Sequence, residues 1–362
     1  MISTFQGVRI AGIASAVPSN EVTLIDTAAS MGISEREARK IAAVTGALRR
    51  RVAPQGMCTS DLVCQAAVRL LDETGYDRDS IDVLVLVTQT PDYDLPATAC
   101  ILQDRLGLPT SCAALDVSLG CSGFIYGLWM CSSLIASGVA RRVLLLAGDT
   151  ITAFVAPQDR STALLFGDAG TATLLERDDD AAPMHFVLGT DGTGKEFLIK
   201  QDGAFRNPVT AASLQRKPDS AGRCRGPLDL YMDGAEVFRF SLEKVPPMVE
   251  QVLARSDWSW DQVDAFVPHQ ANLFMLRTIG DQLKLPAEKL IVSLDEYGNT
   301  SSASIPLALS HRLATRLQRG TERLILAGFG VGWSWGAAAV TCGPMVMPPI
   351  VCVDGAASQP QS

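Results

Sequence analysis

Residues 71–87 read LDETGYDRDSIDVLVLV and residues 253–267 read LARSDWSWDQVDAFV. Laid over each other without gaps, Leu71 meets Leu253, Tyr76 meets Trp258 and Asp79 meets Asp261. Ile81 and Asp82 then meet Val263 and Asp264. Each window closes a helical run, turns through small and charged residues, and enters a short apolar strand. The register continues outward. LQDRLGLP at 102–109 resembles IGDQLKLP at 279–286, and RVLLLAG at 142–148 resembles RLILAG at 323–328. GTATLL at 170–175 resembles GAAAVT at 336–341. Four matches in the same order predict an internal duplication.

Each repeat alternates strand-like and helix-like runs and closes on two apolar strands. That alternation predicts an α/β fold with parallel pairing and crossover helices. Residues 83–87 and 143–147 are apolar on both faces, so both strands are expected to be covered on both sides. The expected halves are residues 1–180 and 181–342. Two segments stand outside this pattern. Residues 203–227 read as an inserted loop rich in Gly, Pro, Ser, Asn and basic residues, and residues 343–362 as a loose tail.

The bulk composition narrows the function. The chain has 362 residues, 47% hydrophobic and 19% charged, with a net charge of −8. An acidic balance disfavours general nucleic-acid binding, which needs a basic face. Nine cysteines form no C-x-x-C pair and no zinc-spaced cluster, so they read as reduced thiols of a cytoplasmic protein. Residues 1–18 carry Arg9 within their apolar stretch and read as a strand rather than a signal peptide. No run of 18 apolar residues occurs.

Cys121 lies in LDVSLGCSGF at 115–124, where an apolar strand meets a Gly-Cys-Ser-Gly turn and a helix predicted over about 122–136. The N–H groups and dipole at a helix start favour a thiolate, which is the nucleophilic form. By itself the residue reads more readily as a small buried hydrophobe, the usual behaviour of a buried cysteine. The second half contributes two polar clusters, FVPHQAN at 266–272 and EYGNTSSASIP at 296–306. His269 is one of three histidines and ends an apolar strand. It reads as a strand-end cap or as a reactive group, and Asn299 as a Gly-Asn turn residue or a donor. His185 and His311 have surroundings that suggest structural or solvated roles. In a duplicated fold, polar loops of the two halves can meet across a pseudo-twofold axis.

Taken together, these motifs resemble the β-ketoacyl-[acyl-carrier-protein] synthase III enzymes, thiolase-fold condensing enzymes that start fatty acid synthesis. The glycine-rich GFGVGWSWG at 328–336 is similar to that family's loop, as are TQTPDY at 88–93, DRST at 159–162 and FGDAG at 166–170. The resemblance spans residues 5–342. It implies a thiolase-like fold, two duplicated α/β halves in a five-layered α-β-α-β-α core. It further implies a Cys121-His269-Asn299 triad, with an oxyanion hole from the N–H groups of Cys121 and Val331. Cys121 would hold an acyl group, and malonyl-[acyl-carrier protein] would lose CO2. His269 and Asn299 would then stabilise the enolate. No metal or redox cofactor is expected, because decarboxylation drives the step. Arg160, Leu95 and Phe329 are expected around the acyl and coenzyme A sites, and Gln270, Asn272 and Arg277 around carrier docking. A homodimer is expected, with Leu95 shaping the partner's acyl pocket.

Several residues depart from the family pattern. Lys40 and Val44 stand where Trp and Arg commonly clasp the adenine of coenzyme A, so a carrier protein is an alternative acyl donor. Val331 replaces a usual Gly. Leu273 and Phe274 follow the HQAN motif, where a docking Arg is common. Other basic groups considered for docking are Lys284, Arg49 to Arg51, and residues 216–225. These changes suggest a specialised relative. A competing reaction is acyl transfer from Cys121 to an alcohol or amine without decarboxylation, which the intact Gly298-Asn299-Thr300-Ser301 argues against. A non-catalytic partner subunit is disfavoured because all three polar residues are present, and a serine hydrolase because residues 120–124 are not G-x-S-x-G.

Overall fold

The computed structural model describes residues 1–219 and 222–355. Its principal strands are Ile2–Phe5 (β1), Val8–Pro18 (β2), Val83–Val87 (β3), Ala113–Val117 (β4), Arg142–Asp149 (β5) and Ala169–Arg177 (β6). They continue with Met184–Thr190 (β7), Ala265–Pro268 (β8), Glu322–Gly330 (β9), Ser334–Cys342 (β10) and Val351–Val353 (β11). The helices that matter below are Glu35–Thr45 (α1), Thr59–Thr74 (α2), Thr98–Arg105 (α3), Gly123–Ala136 (α4), Gly234–Ser256 (α5) and Leu273–Gln282 (α6).

One sheet has the order β11-β2-β6-β5-β3-β4 and the other β1-β7-β10-β9-β8. The β3 strand shows why the sheets are covered on both sides. Val83, Val85 and Val87 enter the central core, whereas Leu84 and Leu86 enter an outer core with α2. Period-two alternation with every residue apolar gives two buried faces. The central core is filled by α4 and by the helical segment 304–319, wedged between the sheets. A third core seats α5 and α6 on the outside of the second sheet. The result is the expected five layers.

Three expectations change. Pairing is parallel at β3–β4, β3–β5 and β8–β9, but β5–β6 and β9–β10 are antiparallel. The closing strands of each half follow one another without a crossover helix, which permits antiparallel pairing. Sheet membership also crosses the expected halves: β1 pairs with β7 in the second sheet and β11 with β2 in the first. The tail is not loose up to Val353, since Met345 and Met347 are buried and Val346 bonds the main chain of Ala11 and Ile13. Its last residues, 356–362, lie outside the described residues. Segment 203–227, apart from 220 and 221, includes a short hairpin, Lys217–Pro218 with Cys224–Arg225. It is anchored by Arg216 to Asp229 and by Arg225 to the buried Asp159.

Candidate active site

Cys121 sits between β4 and α4, two residues ahead of the first helical residue, Gly123. The end of β9 closes over it. A Cβ on Gly330 would stand 2.7 Å from the Cys121 Cβ and 3.1 Å from its Sγ, so only glycine admits this approach. The loop after Gly330 is fixed from several sides. Ser334 Oγ donates to Val331 O at 2.7 Å and meets Ser122 Oγ at 2.6 Å. The Trp333 ring stacks on Phe240 with centroids 4.3 Å apart. So held, the Val331 N–H and the Cys121 N–H both stabilise the sulfur's anionic form. Val331 does not adopt a positive φ, so replacing a glycine costs the loop nothing in backbone strain.

The thiol itself differs from the sequence expectation. Burial, and then the charge of Asp149, push Cys121 up to about 12, against the pull of the Ser301 hydroxyl and the two N–H groups. Ionising it costs roughly 4 kcal/mol more than ionising an ordinary thiol. The helix start was read locally, whereas desolvation depends on the whole fold and wins here. The resting residue is a thiol.

His269 follows β8, and its N–H donates to Ala327 O at 2.7 Å. Its Nδ1 meets Ser304 Oγ at 2.7 Å, and the Phe329 ring lies edge-on at 5.6 Å. Burial holds the ring down at about 3, so it is a neutral imidazole at physiological pH. The Ser304 hydroxyl can donate to Nδ1, and that arrangement is the tautomer with the ring proton on Nε2. Asn299 follows Gly298, which takes φ +63 and would bring a Cβ to 2.5 Å from Leu165 O. Asn299 N–H donates to Leu165 O at 3.0 Å, and its Oδ1 accepts from Ser301 N at 3.0 Å. With Oδ1 engaged, Nδ2 is the side of the amide left to donate. Both residues are buried.

Sequence reasoning missed the polar groups that tie this centre together. Asp149, fully buried at the end of β5, accepts from Gln89 N at 2.7 Å and from Ser302 Oγ at 2.7 Å. A lone acid closing the apolar run 143–147 was the available signal. Ser301, at φ +51, and Ser304 were read only as part of a small polar cluster.

Among the remaining candidates, Phe329 is buried against His269 rather than open to solvent. Leu95 is 85% exposed, on the loop after β3. Arg160 reaches Glu37 of α1 at 3.5 Å, with both side chains half-exposed. Gln270 is corrected as a docking residue. It is buried, its Nε2 donates to Pro268 O and Ile291 O, and its Oε1 accepts from Ser293 N. Asn272 caps α6, accepting from Met275 N at 2.8 Å. Arg277 is exposed beside an apolar cavity of about 660 Å³ that also touches Leu48, Leu273 and Leu285. The run 49–51 is not a free basic patch: Arg50 is buried and donates to Ala163 O, and Arg49 and Arg51 pair with Glu296 and Glu21. Arg216, Arg223 and Arg225 are likewise paired. His185 and His311 bond Thr4 and Ser293, away from Cys121.

A cavity of about 1000 Å³ touches Gln89, Ser118, Val331 and Gly332, with Ile151, Phe154, Leu198 and Leu230 as its apolar walls. All nine cysteines are free. Among the described residues no helix is long and apolar enough to cross a membrane.

The family model for 3-oxoacyl-[acyl-carrier-protein (ACP)] synthase III matches residues 115–192, and the model for its C-terminal part matches residues 253–342. The chain is 39% identical over 337 residues to β-ketoacyl-[acyl-carrier-protein] synthase III 3 of Streptomyces coelicolor, covering 92% of this chain and 96% of that protein. It is 36% identical to the β-ketoacyl-[acyl-carrier-protein] synthase III of Xanthomonas axonopodis over 331 residues, 91% of this chain and 97% of that one. Among solved structures, a 3-oxoacyl-(acyl-carrier protein) synthase from Burkholderia xenovorans superposes with a TM-score of 0.91 at 44% identity, covering 98% and 99% of the two chains. The priming β-ketosynthase of the R1128 polyketide biosynthetic pathway superposes with a TM-score of 0.79 at 29% identity, covering 94% and 97%.

Proposed function

Because the chain belongs to the 3-oxoacyl-[acyl-carrier-protein] synthase III family, we propose how its own residues divide that family's reaction. The reaction is the decarboxylative Claisen condensation of an acyl thioester with malonyl-[acyl-carrier protein], giving a 3-ketoacyl product. Cys121 receives the acyl group, and the N–H groups of Cys121 and Val331 stabilise the oxyanion of each tetrahedral intermediate. Malonyl thioester then loses CO2. The enolate oxygen is met by Nε2–H of the neutral His269 and by Nδ2 of Asn299. An imidazole held down at about 3 donates without adding a charge to a buried site. The enolate carbon attacks the acyl carbonyl, and the Cys121 sulfur leaves.

The observation that supports this reading is that one residue, Ser301, reaches all three side chains: its hydroxyl acts on the Cys121 sulfur, its main chain on the His269 ring, and its N–H donates to Asn299 Oδ1. The cavity walled by Ile151, Phe154, Leu198 and Leu230 supplies an apolar setting for the acyl chain. Leu95 and Tyr93 stand exposed beside it, and β4 is an edge strand of its sheet. Both favour a homodimer in which Leu95 completes the partner's pocket. Arg160 remains the candidate for the nucleotide end of coenzyme A. With Lys40 and Val44 on α1, the helix whose Glu37 Arg160 reaches, an acyl carrier is an equally suitable donor, and Arg277 and Asn272 are the candidates for carrier docking. Free cysteines fit a reducing cytoplasm. Use in fatty acid initiation or in a specialised pathway depends on the acyl group taken.

Intact-mass spectrometry after incubation with a panel of acyl-CoA and acyl-carrier donors tests the reading. One acyl mass is expected on Cys121, and it should be lost with CO2 release when malonyl thioester is added. Acyl transfer to an alcohol or amine without CO2 would favour the non-decarboxylating reaction instead.

A further inference from the structure

Asp159 is a fully buried carboxylate in the loop that carries Arg160. Its Oδ1 accepts from the Ser161 N–H at 2.9 Å and from Ser161 Oγ at 2.5 Å. The carboxylate thus closes a turn on the residue two positions on, with Arg160 at its centre. Thr162 and Ala163 extend the turn, their N–H groups donating to Asp159 O at 3.2 and 2.9 Å. The Arg160 side chain leaves it toward α1, where it reaches Glu37 at 3.5 Å.

The other oxygen, Asp159 Oδ2, accepts from Arg225 Nη1 at 3.1 Å. Among the described residues, Arg225 makes the one ion pair to Asp159. Arg225 belongs to segment 203–227, which stands outside the duplicated pattern, and it is itself held in place. Its Nη2 donates to Asp219 Oδ2 at 3.3 Å, and its guanidinium lies over the Tyr231 ring, 4.5 Å from the centroid. Cys224, beside it, forms an antiparallel bridge to Gln158, the residue before Asp159. The short hairpin therefore backs the Arg160 loop through both main chain and charge.

A carboxylate with no access to water is a poor anion unless a cation compensates it. Ser161 offers Asp159 neutral donors, and Arg225 offers the charge. Without that charge, Asp159 gains by turning out to water, which frees Ser161 and opens the turn around Arg160. A lone cation grips a phosphate well when its direction is fixed beforehand. That matters on this loop, because Lys40 and Val44 leave α1 without the usual clasp.

We propose that Arg225 is a positioning residue for the acyl donor: by holding Asp159 it keeps Arg160 aimed toward α1, at the phosphates of coenzyme A. The proposal rests on the reading of Arg160 as the contact for the nucleotide end.

The test is the rate of Cys121 acylation, followed by intact mass over a series of donor concentrations. One acyl group is offered on coenzyme A and on N-acetylcysteamine, which carries no phosphate. Arg225→Ala should raise the half-saturating concentration of the acyl-CoA about tenfold, through loss of one fixed charge-assisted contact, with the maximal rate unchanged. The value for the N-acetylcysteamine thioester should not move. Arg225→Lys, which keeps the charge, should recover most of the affinity. Arg160→Ala should raise the acyl-CoA value by as much, and Arg160→Ala combined with Arg225→Ala no further. An unchanged acyl-CoA value in Arg225→Ala overturns the proposal, as does an equal loss with both donors, or a double variant in which the two effects add. If Arg225→Ala fails to fold, Arg225→Gln decides, with a rise confined to acyl-CoA expected. If Arg160→Ala leaves the acyl-CoA value native, the placing of the nucleotide end at Arg160 fails too. If Arg160→Ala raises it and Arg225→Ala does not, the proposal alone fails. A native protein acylated by a carrier donor and by no acyl-CoA overturns the proposal and leaves the condensation reading standing.

Discussion

The two sheets present equivalent loops to each other and give them opposite chemistry. In the first, β4 leads through Cys121 into α4, a single unbroken helix of 14 residues. In the second, the matching stretch leads through Asn299 and Ser301 into a helix broken into Ser304–Ala308, a π-turn at Leu309–Leu313, and Ala314–Arg319. The loops touch: a Cβ on Gly123 would lie 3.9 Å from Ser302 Cβ. The strand ends differ in the same way. β5 ends in the carboxylate of Asp149, and β9 ends in Gly330, which has no side chain and lets Cys121 approach. In the proposed reaction the first half therefore supplies the nucleophile, beside a buried negative charge. The second would supply neutral donors in His269, Asn299 and the Val331 N–H. Duplication provided two facing scaffolds, and divergence at their loop positions made them complementary.

That division predicts separable defects. The largest belongs to Cys121→Ala, which should form no acyl adduct and lose condensation by about 10⁴-fold or more. Its donors remain, so slow CO2 release from malonyl thioester should persist, as measured by trapping the gas. His269→Ala and Asn299→Ala should leave acylation by intact mass near native, while CO2 release falls about 10²- to 10³-fold for each. Gly330→Ala strikes the contact between the halves. Its methyl would crowd the Cys121 side chain, so stability should fall by about 1–3 kcal/mol in urea melts, with slower acylation.

Two smaller effects mark the limits of the comparison. His269 is held at about 3, below its ordinary 6.5, so the unfolded chain binds a proton that the native state refuses as pH falls. Stability from this group is complete above about pH 6.5 and is lost on acidification toward pH 3. Relative to His269→Asn, the native protein should lose about 1.4 kcal/mol per pH unit across that window, read from paired melts. Asp168, pushed up to about 6 by burial, acts in the opposite sense and cancels in that difference. Last, Arg277→Glu on the exposed face of α6 should raise KM for a malonyl carrier a few-fold and leave kcat unchanged, with an effect that shrinks in salt.

The division was partly legible in the sequence. The repeat, the doubly apolar strands and the three polar motifs stand in the residues themselves. Legibility ended where a property depends on distant packing. Cys121 at a helix start reads as an easily ionised thiol, yet burial and Asp149 set the opposite direction. Gln270 reads as a surface residue because it is polar, yet all its groups are consumed by buried main chain. Asp149 carries no signal of its surroundings, because no local pattern tells that Ser302, 153 residues on, will meet it. The crossing of β1 and β11 between sheets has no periodicity signal, since any short strand can complete either edge.

The most direct test of the central claim follows the acyl-enzyme mass of native protein and Asn299→Ala through two additions, an accepted acyl donor and then malonyl thioester. The native protein should gain one acyl mass on Cys121 and lose it with CO2 release, whereas Asn299→Ala should gain the same mass and keep it. If Asn299→Ala discharges the acyl group with CO2 at the native rate, the second half does not supply the decarboxylation donors and the account fails.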